Sequence, residues 1–498
     1  MGLTGGRSEA MALEFIDNIS KYVPAIKPPS RALSLREKMY WTAGVIAIFF
    51  LLYNTYALGV NQQAVSQPFL QLISIVFAAK IGSVITVGIS PIILSSIVLQ
   101  LLSGSGLLDI DMNDPAQKAR YQTVQKLASM SIAVIEAVVY VATGYVPISS
   151  PALFGIVVLQ LAIGAIIMIY LDETMSKYGI TSGINLFIAS GVSYSIVAGT
   201  VAILIPEAVA AIQAGGAAAI SNAIIAFGPL FFAILVFLAS IYAYEMKVEL
   251  PLAFEQFRGI GGRLPIPFLY VSVLPVVLAS SLELSFTVWF RFLAGVHGSL
   301  QNLARFIAYY QPVAAGTGTS LQLSGGLAYL ISPTFPYPYS AAYGGIGGYG
   351  PYFTYLMTHT TQLFIPWGGV MLVPEWIHMI IYTVVLVILC VIFGRFWIEL
   401  TGQNPKNMAE QIGSGGWQIP GFRRDPRIVE NVLNKYIPTL TVLGSIFVGL
   451  LAALATLTGA IGTGMGVLLT VGIIYMLYQQ LEQERIYETY PILQKITQ

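Results

Sequence analysis

Ten stretches of the chain run for about twenty residues or more with almost no charge, at roughly 40–60, 69–102, 127–146, 152–171, 184–205, 222–244, 266–289, 376–398, 437–457 and 464–481. The polar faces that a soluble helix bundle would carry are missing from these runs. A helix needs about 20 mostly apolar residues to cross the hydrocarbon of a bilayer. The pattern therefore predicts an all-α membrane protein with ten transmembrane helices. Composition agrees: of 498 residues, 56% are hydrophobic and 9% charged, against ~25% charged in soluble domains. That supply of charge is too small to cover a water-soluble surface.

The second run is too long and too broken for one ordinary span. Gln67-Pro68 opens it, Lys80 interrupts it, and Gly82, Gly88 and Pro91 divide the remainder. Irregular backbone at membrane depth is tolerated only where protein or water covers it, so this segment is expected to line an interior; a kinked helix with a snorkelling Lys80 is the alternative. A small-residue linker around Ala210 to Asn222 separates spans one to five from six to ten. Two sets of an odd number of spans point in opposite directions, which predicts two inverted halves, 1–212 and 213–498, with a path between them. From about Arg291 to Pro374 the chain has few charges and a Gly-, Pro- and Tyr-rich run from Pro333 to Tyr355. It is expected to be an external elaboration, with a cap over an external funnel as the other reading.

Net charge is only +1, so the placement of charge carries more information than its sum. With a cytoplasmic N-terminus, all of the 24 Lys and Arg except Lys80, Arg291 and Arg305 fall on the cytoplasmic side. The positive-inside rule then puts both termini in the cytoplasm of a multi-pass cell-membrane protein. Charges from Arg7 to Lys38 argue against a cleavable leader. Leu13, Ile16, Ile19 and Val23 recur at helical spacing, as in a helix lying on the membrane surface, or else in a plain solvated segment. Cys390 is the only cysteine, which excludes an intramolecular disulfide and a cysteine-based metal cluster.

Catalytic patterns are missing. No HExxH pair or Walker A motif occurs, and His297, His359 and His378 have no partner at metal-ligand spacing. The reading is a non-enzyme without cofactors, energised from outside. Glu136 and Glu283 are ionisable groups within apolar runs. Such residues are functional by default in ion-coupled transporters, so a multi-spanning solute or ion transporter is the alternative class; packing, or proximity to a water-filled interior, is the reading preferred here.

Several strings resemble the SecY family, the alpha subunit of the Sec translocon, in its archaeal and eukaryotic branch. They are Ser90-Pro-Ile-Ile-Leu-Ser with Gln100-Leu-Leu-Ser-Gly-Ser-Gly, Tyr170-Leu-Asp-Glu-Thr-Met-Ser-Lys-Tyr-Gly-Ile, Ser182-Gly-Ile-Asn-Leu-Phe-Ile-Ala, Val248-Glu-Leu-Pro-Leu-Ala, Phe396-Trp-Ile-Glu-Leu-Thr-Gly, Gly421-Phe-Arg-Arg and Gly466-Val-Leu-Leu-Thr-Val. The resemblance runs from about residue 10 to 490 and implies a protein-conducting channel with an hourglass pore and a lateral gate. It implies a waist ringed by Ile89, Ile93, Ile184, Ile188, Val277 and Leu468, with Leu469 the competitor of Leu468. The pairs 89/93 and 184/188 each share one helical face. An apolar constriction excludes ions yet lets side chains move aside for a polypeptide.

The resemblance further implies a plug over about 69–80, with Phe69, Leu70, Ile73 and Lys80. It implies a lateral gate containing Leu94, Gln122, Gln125 and Ser285. Here the chain departs from its relatives: Leu94, Ser285 and Val273 stand where polar Thr or Asn is common, so a more apolar gate is expected. Arg258, Arg263, Arg423 and Arg424 match loops that dock a ribosome or cytoplasmic motor. The implied partners are a SecE-type gamma subunit, a small single-span beta subunit, signal peptides and nascent polypeptides, and the lipid bilayer.

Overall fold

The computed structural model describes residues 24, 26–31, 33–61, 78–104, 115–254, 261–271, 274–315, 318–333, 335–339, 345–414, 417–418, 426–462 and 464–489. The surface-helix residues Leu13, Ile16, Ile19 and Val23, the plug residues Phe69, Leu70 and Ile73, and Arg258, Val273, Arg423 and Arg424 lie outside them.

Helix α1 is Leu35–Asn54, opened by a capping box in which the Ser34 hydroxyl accepts from the Glu37 N–H and the Glu37 carboxylate accepts from the Ser34 N–H. The helices α2 (Ser90–Gly104), α3 (Pro115–Ala142), α4 (Phe154–Tyr178) and α5 (Gly183–Gly199) follow. A π turn at Thr200–Leu204 joins α5 to α6 (Ile205–Gln213), and α7 (Ala219–Ala226) folds back on α6. The predicted linker at 210–222 is thus the turn of a helical hairpin, and the sixth run begins as a helix only at Gly228, in α8 (Gly228–Glu245).

The seventh run starts as a strand. Pro265 and Pro267 belong to β2 (Gly261–Pro267), which pairs antiparallel with β1 (Lys247–Phe254), and α9 begins only at Leu274 and ends at Trp289. Then come α10 (Gln301–Ile307), β3 (Tyr309–Ala315), β4 (Gly318–Gly325), α11 (Leu327–Leu330), α12 (Tyr349–Thr358), β5 (Thr360–Phe364) and β6 (Val370–Pro374). The chain ends with α13 (Glu375–Leu400), α14 (Pro405–Ser414), β7 (Trp417–Gln418), α15 (Pro426–Leu457) and α16 (Gly464–Thr489). Among the described residues, eight helices are long and apolar enough to cross a membrane, and Ser90–Ser103 is a shorter apolar helix. The fold is an all-α membrane fold carrying two small sheets, ordered β2-β1-β7 and β3-β4-β5-β6. Those sheets lie in segments that the apolar runs left as connections.

The described part of 291–374, expected to be an elaboration, is tightly folded. It has an apolar core of its own, including Tyr310, Leu323, Tyr329, Leu330 and Val373. It also closes over the membrane helices: the Tyr349 hydroxyl donates to the Thr458 carbonyl at 3.0 Å, and that of Tyr352 donates to Leu457. Leu457 is the last residue of α15 and Thr458 the next, and the final carbonyls of any helix lack internal donors.

Two of the family strings meet at one junction. The Asp172 carboxylate, near the end of α4, accepts from the Ile184 N–H at 2.9 Å as α5 begins, while the Ser182 hydroxyl caps the same helix. A Cβ on Gly183 would lie 2.6 Å from the Asp172 Cα, so only glycine allows this approach. Next to it Glu173 binds Lys126 at 2.6 Å and Lys177 at 2.7 Å, tying α3 to α4.

Candidate functional site

Helix α2 is the centre of the interior. One side packs on α3 and the other meets α9 and α13; elsewhere α5 packs on α16. The segment before α2 is non-helical, as its glycines predict: Gly82 and Gly88 have φ of 87° and 59°, where a side chain is strained. Lys80 is in this stretch. Its ammonium donates to the Asn54 side chain at 3.3 Å and stands 4.9 Å from the Tyr56 ring, so it reaches the exposed end of α1.

The six aliphatic positions come from four elements that converge. Ile89 and Ile93 are at the start of α2, and the Ile93 N–H donates to the Ile89 carbonyl, which sets the two side chains one turn apart. Ile188 on α5, Val277 on α9 and Leu468 on α16 are buried with them in one continuous apolar core. Ile184 is half-buried against it, and Leu469 is as buried as Leu468.

The α2–α3 contact carries a ladder of hydrogen bonds that the sequence pattern did not announce. The Ser90 hydroxyl donates to Glu136 at 2.8 Å, Ser95 and Ser129 hydroxyls meet at 2.6 Å, and the Gln125 amide donates to the Ser96 hydroxyl at 2.6 Å. Partners on α2 ascend while those on α3 descend, as antiparallel helices require. The signal was present as small polar residues recurring at helical spacing on both runs. Glu136 therefore does not stand alone. Of the two glutamines, Gln125 makes the contact; Gln122 points outward and is exposed.

Across from this ladder the surfaces are drier. Leu94 is buried, and so is Ser285 on α9, whose hydroxyl has no hydrogen-bond partner among the described residues. The same holds for both carboxyl oxygens of Glu283, whose titratable neighbours are Tyr382 and Cys390 on α13. Just beyond α9, the buried Arg291 reaches back to the end of α3: its guanidinium donates to the Gly144 carbonyl at 3.4 Å and stands 5.9 Å from the Tyr145 ring. It is therefore not free in solvent.

The external segment is fastened to α13 by a second polar centre. Glu375 Oε1 accepts from the Tyr329 hydroxyl at 2.8 Å and meets His378 Nδ1 at 2.9 Å, while Oε2 accepts from Thr361 at 3.3 Å. His378 Nε2 faces the Ser332 carbonyl at 3.0 Å, and Phe335 stacks on the ring at 4.5 Å. Among the described residues, no group of His, Cys, Asp and Glu is arranged to hold a metal.

Of the four arginines matched to docking loops, Arg263 is described. It is exposed on β2 and binds Glu249 of β1 at 2.7 Å. Its hydrogen bond holds the Glu249 carboxyl below the ordinary carboxylate range.

A bundle of membrane-crossing helices around an apolar interior, with one broken segment and a polar seam beside it, defines a multi-pass membrane protein built to carry something between its helices. The family model described as SecY matches residues 83–478. The protein translocase subunit SecY of Methanocaldococcus jannaschii is 37% identical over 487 residues, covering 96% of this chain and 98% of that relative. That of Methanothermobacter thermautotrophicus is 35% identical over 493 residues, covering 96% and 98%. A solved chain described as the structure of a protein conducting channel is 35% identical, with a TM-score of 0.75 and coverage of 95% and 98%. Sec61 in the canine ribosome-channel complex from the endoplasmic reticulum gives 0.73 at 35% identity, with the same coverage. The chain belongs to the SecY family.

Proposed function

We propose that this chain is the central subunit of a protein-conducting channel, through which unfolded secretory polypeptides pass and from which membrane segments leave sideways into lipid. The observation that carries the reading is the convergence of aliphatic side chains from α2, α5, α9 and α16, beside an α2 that is hydrogen-bonded to α3 but meets α9 through apolar and unpaired groups. An interface without interhelical hydrogen bonds is the one that opens at least cost. The gate then lies between α2–α3 and α9–α13, with Leu94, Gln125 and Ser285 along it and Gln122 at its exposed margin.

In this reading the ring is Ile89, Ile93, Ile184, Ile188, Val277 and Leu468, and the segment that includes Phe69, Leu70, Ile73 and Lys80 is the plug. Helices α1 and α2 join the eight long apolar helices as spans, making ten in two inverted halves of five. Contacts support the division at about 212: α1, α3 and α4 pack mainly within the first half and α8 to α16 mainly within the second, while α2 and α5 also meet the second half through α9, α13 and α16. Both termini are cytoplasmic. The protein catalyses no reaction; a ribosome or motor docked on the loops carrying Arg258, Arg263, Arg423 and Arg424 drives the passage. A gamma subunit and a small beta subunit complete the assembly.

A stalled secretory chain should crosslink to probes placed at Ile93 and Ile188 and not to one at Ile380 on the outer surface. A purified channel that instead accumulates a small solute under an ion gradient, with no crosslink at either position, refutes the proposal in favour of a transporter.

A further inference from the structure

The β5–β6 hairpin presents an apolar surface that the protein does not cover. Trp367 at its tip is 93% exposed, and three consecutive residues of β6, Val370, Met371 and Leu372, are 50%, 49% and 59% exposed. Consecutive strand residues point to opposite faces, so β6 is bare on both faces over 370–372, before Val373 turns into the core. The strand is also at the edge of its sheet, with one row of backbone groups open. From Thr360 to Pro374 the segment has no charged residue. Soluble proteins guard such edges with charge, because a bare apolar edge invites aggregation. This one is unguarded.

Its position says what covers it. β6 runs into α13 without a linker, and α13 exposes Trp376, Ile380, Val384, Ile388 and Ile392, about one residue per turn in a stripe that winds slowly round the helix. That stripe ends at exposed Arg395. The rise from Trp376 to Arg395 is about 28 Å at ~1.5 Å per residue, close to the ~30 Å of bilayer hydrocarbon. The outer boundary of the hydrocarbon therefore falls where β6 meets α13, and the bare face of the hairpin continues the lipid-facing stripe. An open strand edge is excluded from the hydrocarbon itself, where its backbone groups would find no partners. At headgroup depth water and ester groups satisfy them, and tryptophan favours that layer.

We infer that the β5–β6 hairpin is an interfacial membrane anchor, laid in the headgroup layer of the outer leaflet with Trp367, Val370, Met371 and Leu372 against lipid. It holds the external segment down beside α13, a helix that packs on both α2 and α9.

The buried Cys390 leaves room for single exposed thiols. Met371→Cys, Ile380→Cys and Gln311→Cys, the last on the opposite edge strand β3, are labelled with a small fluorophore in the purified channel in phosphatidylcholine vesicles. The Met371 label should be quenched by a shallow nitroxide lipid at least as strongly as the Ile380 label, and by aqueous iodide several-fold less than the Gln311 label. Trp367→Asp with Leu372→Asp should abolish the lipid quenching at position 371 while Cys390 stays unreactive, showing that the fold survives. Iodide quenching at 371 equal to that at 311 overturns the anchor. So does shielding from both quenchers with energy transfer between copies that rises with protein density, which assigns the edge to a second copy of the chain.

Discussion

Glu375 and Glu283 are both fully enclosed, yet the protein treats them in opposite ways. Around Glu375, Tyr329, Thr361 and His378 all turn polar atoms toward the carboxyl group, and His378 passes the connection on to Ser332. Around Glu283, no described residue offers a hydrogen bond to either oxygen. A satisfied buried network rigidifies the elements that share it, whereas an unpartnered polar group is a cost carried by one arrangement and relieved in another. The first clamps the segment 291–374 to α13. The second is on α9, the helix that separates from α2 in the proposed gate. Burial alone does not distinguish a clamp from a gate; the partners do.

Breaking the clamp should have the largest effect. Glu375→Leu leaves the Tyr329 hydroxyl without its acceptor and His378 Nδ1 without its partner, and each buried polar group left unsatisfied costs about 1–3 kcal/mol. Heating in detergent with a thiol-reactive dye reports it, because Cys390 is the only cysteine and is buried; the variant should expose it at a clearly lower temperature. Glu283→Leu should move the same midpoint upward, since deleting an unsatisfied buried polar group returns about 1–3 kcal/mol. A fall in both variants would remove the distinction between the two regions.

The next effect is on the seal rather than on stability. Ile93→Asn together with Ile188→Asn introduces polar groups into the apolar waist, which should wet it and raise ion leak through the resting channel in proteoliposomes. An unchanged leak would take those residues out of the ring. Gln125→Leu deletes one rung between α2 and α3 and should cost about 1 kcal/mol, seen as a small fall in the same midpoint. The subtlest change is Leu94→Thr. A more polar gate should alter the signal hydrophobicity required for secretion, measured with a graded series of reporter signals; identical thresholds would remove Leu94 from the gate.

Much of this was legible in the chain because membrane insertion is a one-dimensional test. The lengths of the apolar runs announced the helices, and Gly82 and Gly88 announced the irregular entry to α2. The start of the sixth and seventh helices was misplaced for a definite reason. Ala219–Ala226 is as apolar as a span, and the apolar run that begins at 266 opens on the last residues of a proline-bearing strand; hydropathy does not tell either from the first turns of a membrane helix. The family strings named the six aliphatic residues proposed as the ring, and five of them are buried in one apolar core with Ile184 packed against it. Arg291, Glu375 and His378 escaped because nothing nearby in sequence marks their partners: Gly144, Tyr329 and Ser332 are distant in the chain, and only folding brings them together.

By itself, then, the sequence determined that this protein resides in a bilayer, the approximate position of its spans and the family to which its motifs belong. These properties are summed over local runs of residues, and a local sum survives without knowledge of the fold. Only the tertiary structure decided which buried polar groups among the described residues are paired and which are not, that hydrogen bonds join α2 to α3, and that the β5–β6 hairpin bares apolar side chains beside the exposed stripe of α13. Those are properties of neighbours across space, set by how the helices pack, and no single run of sequence contains them.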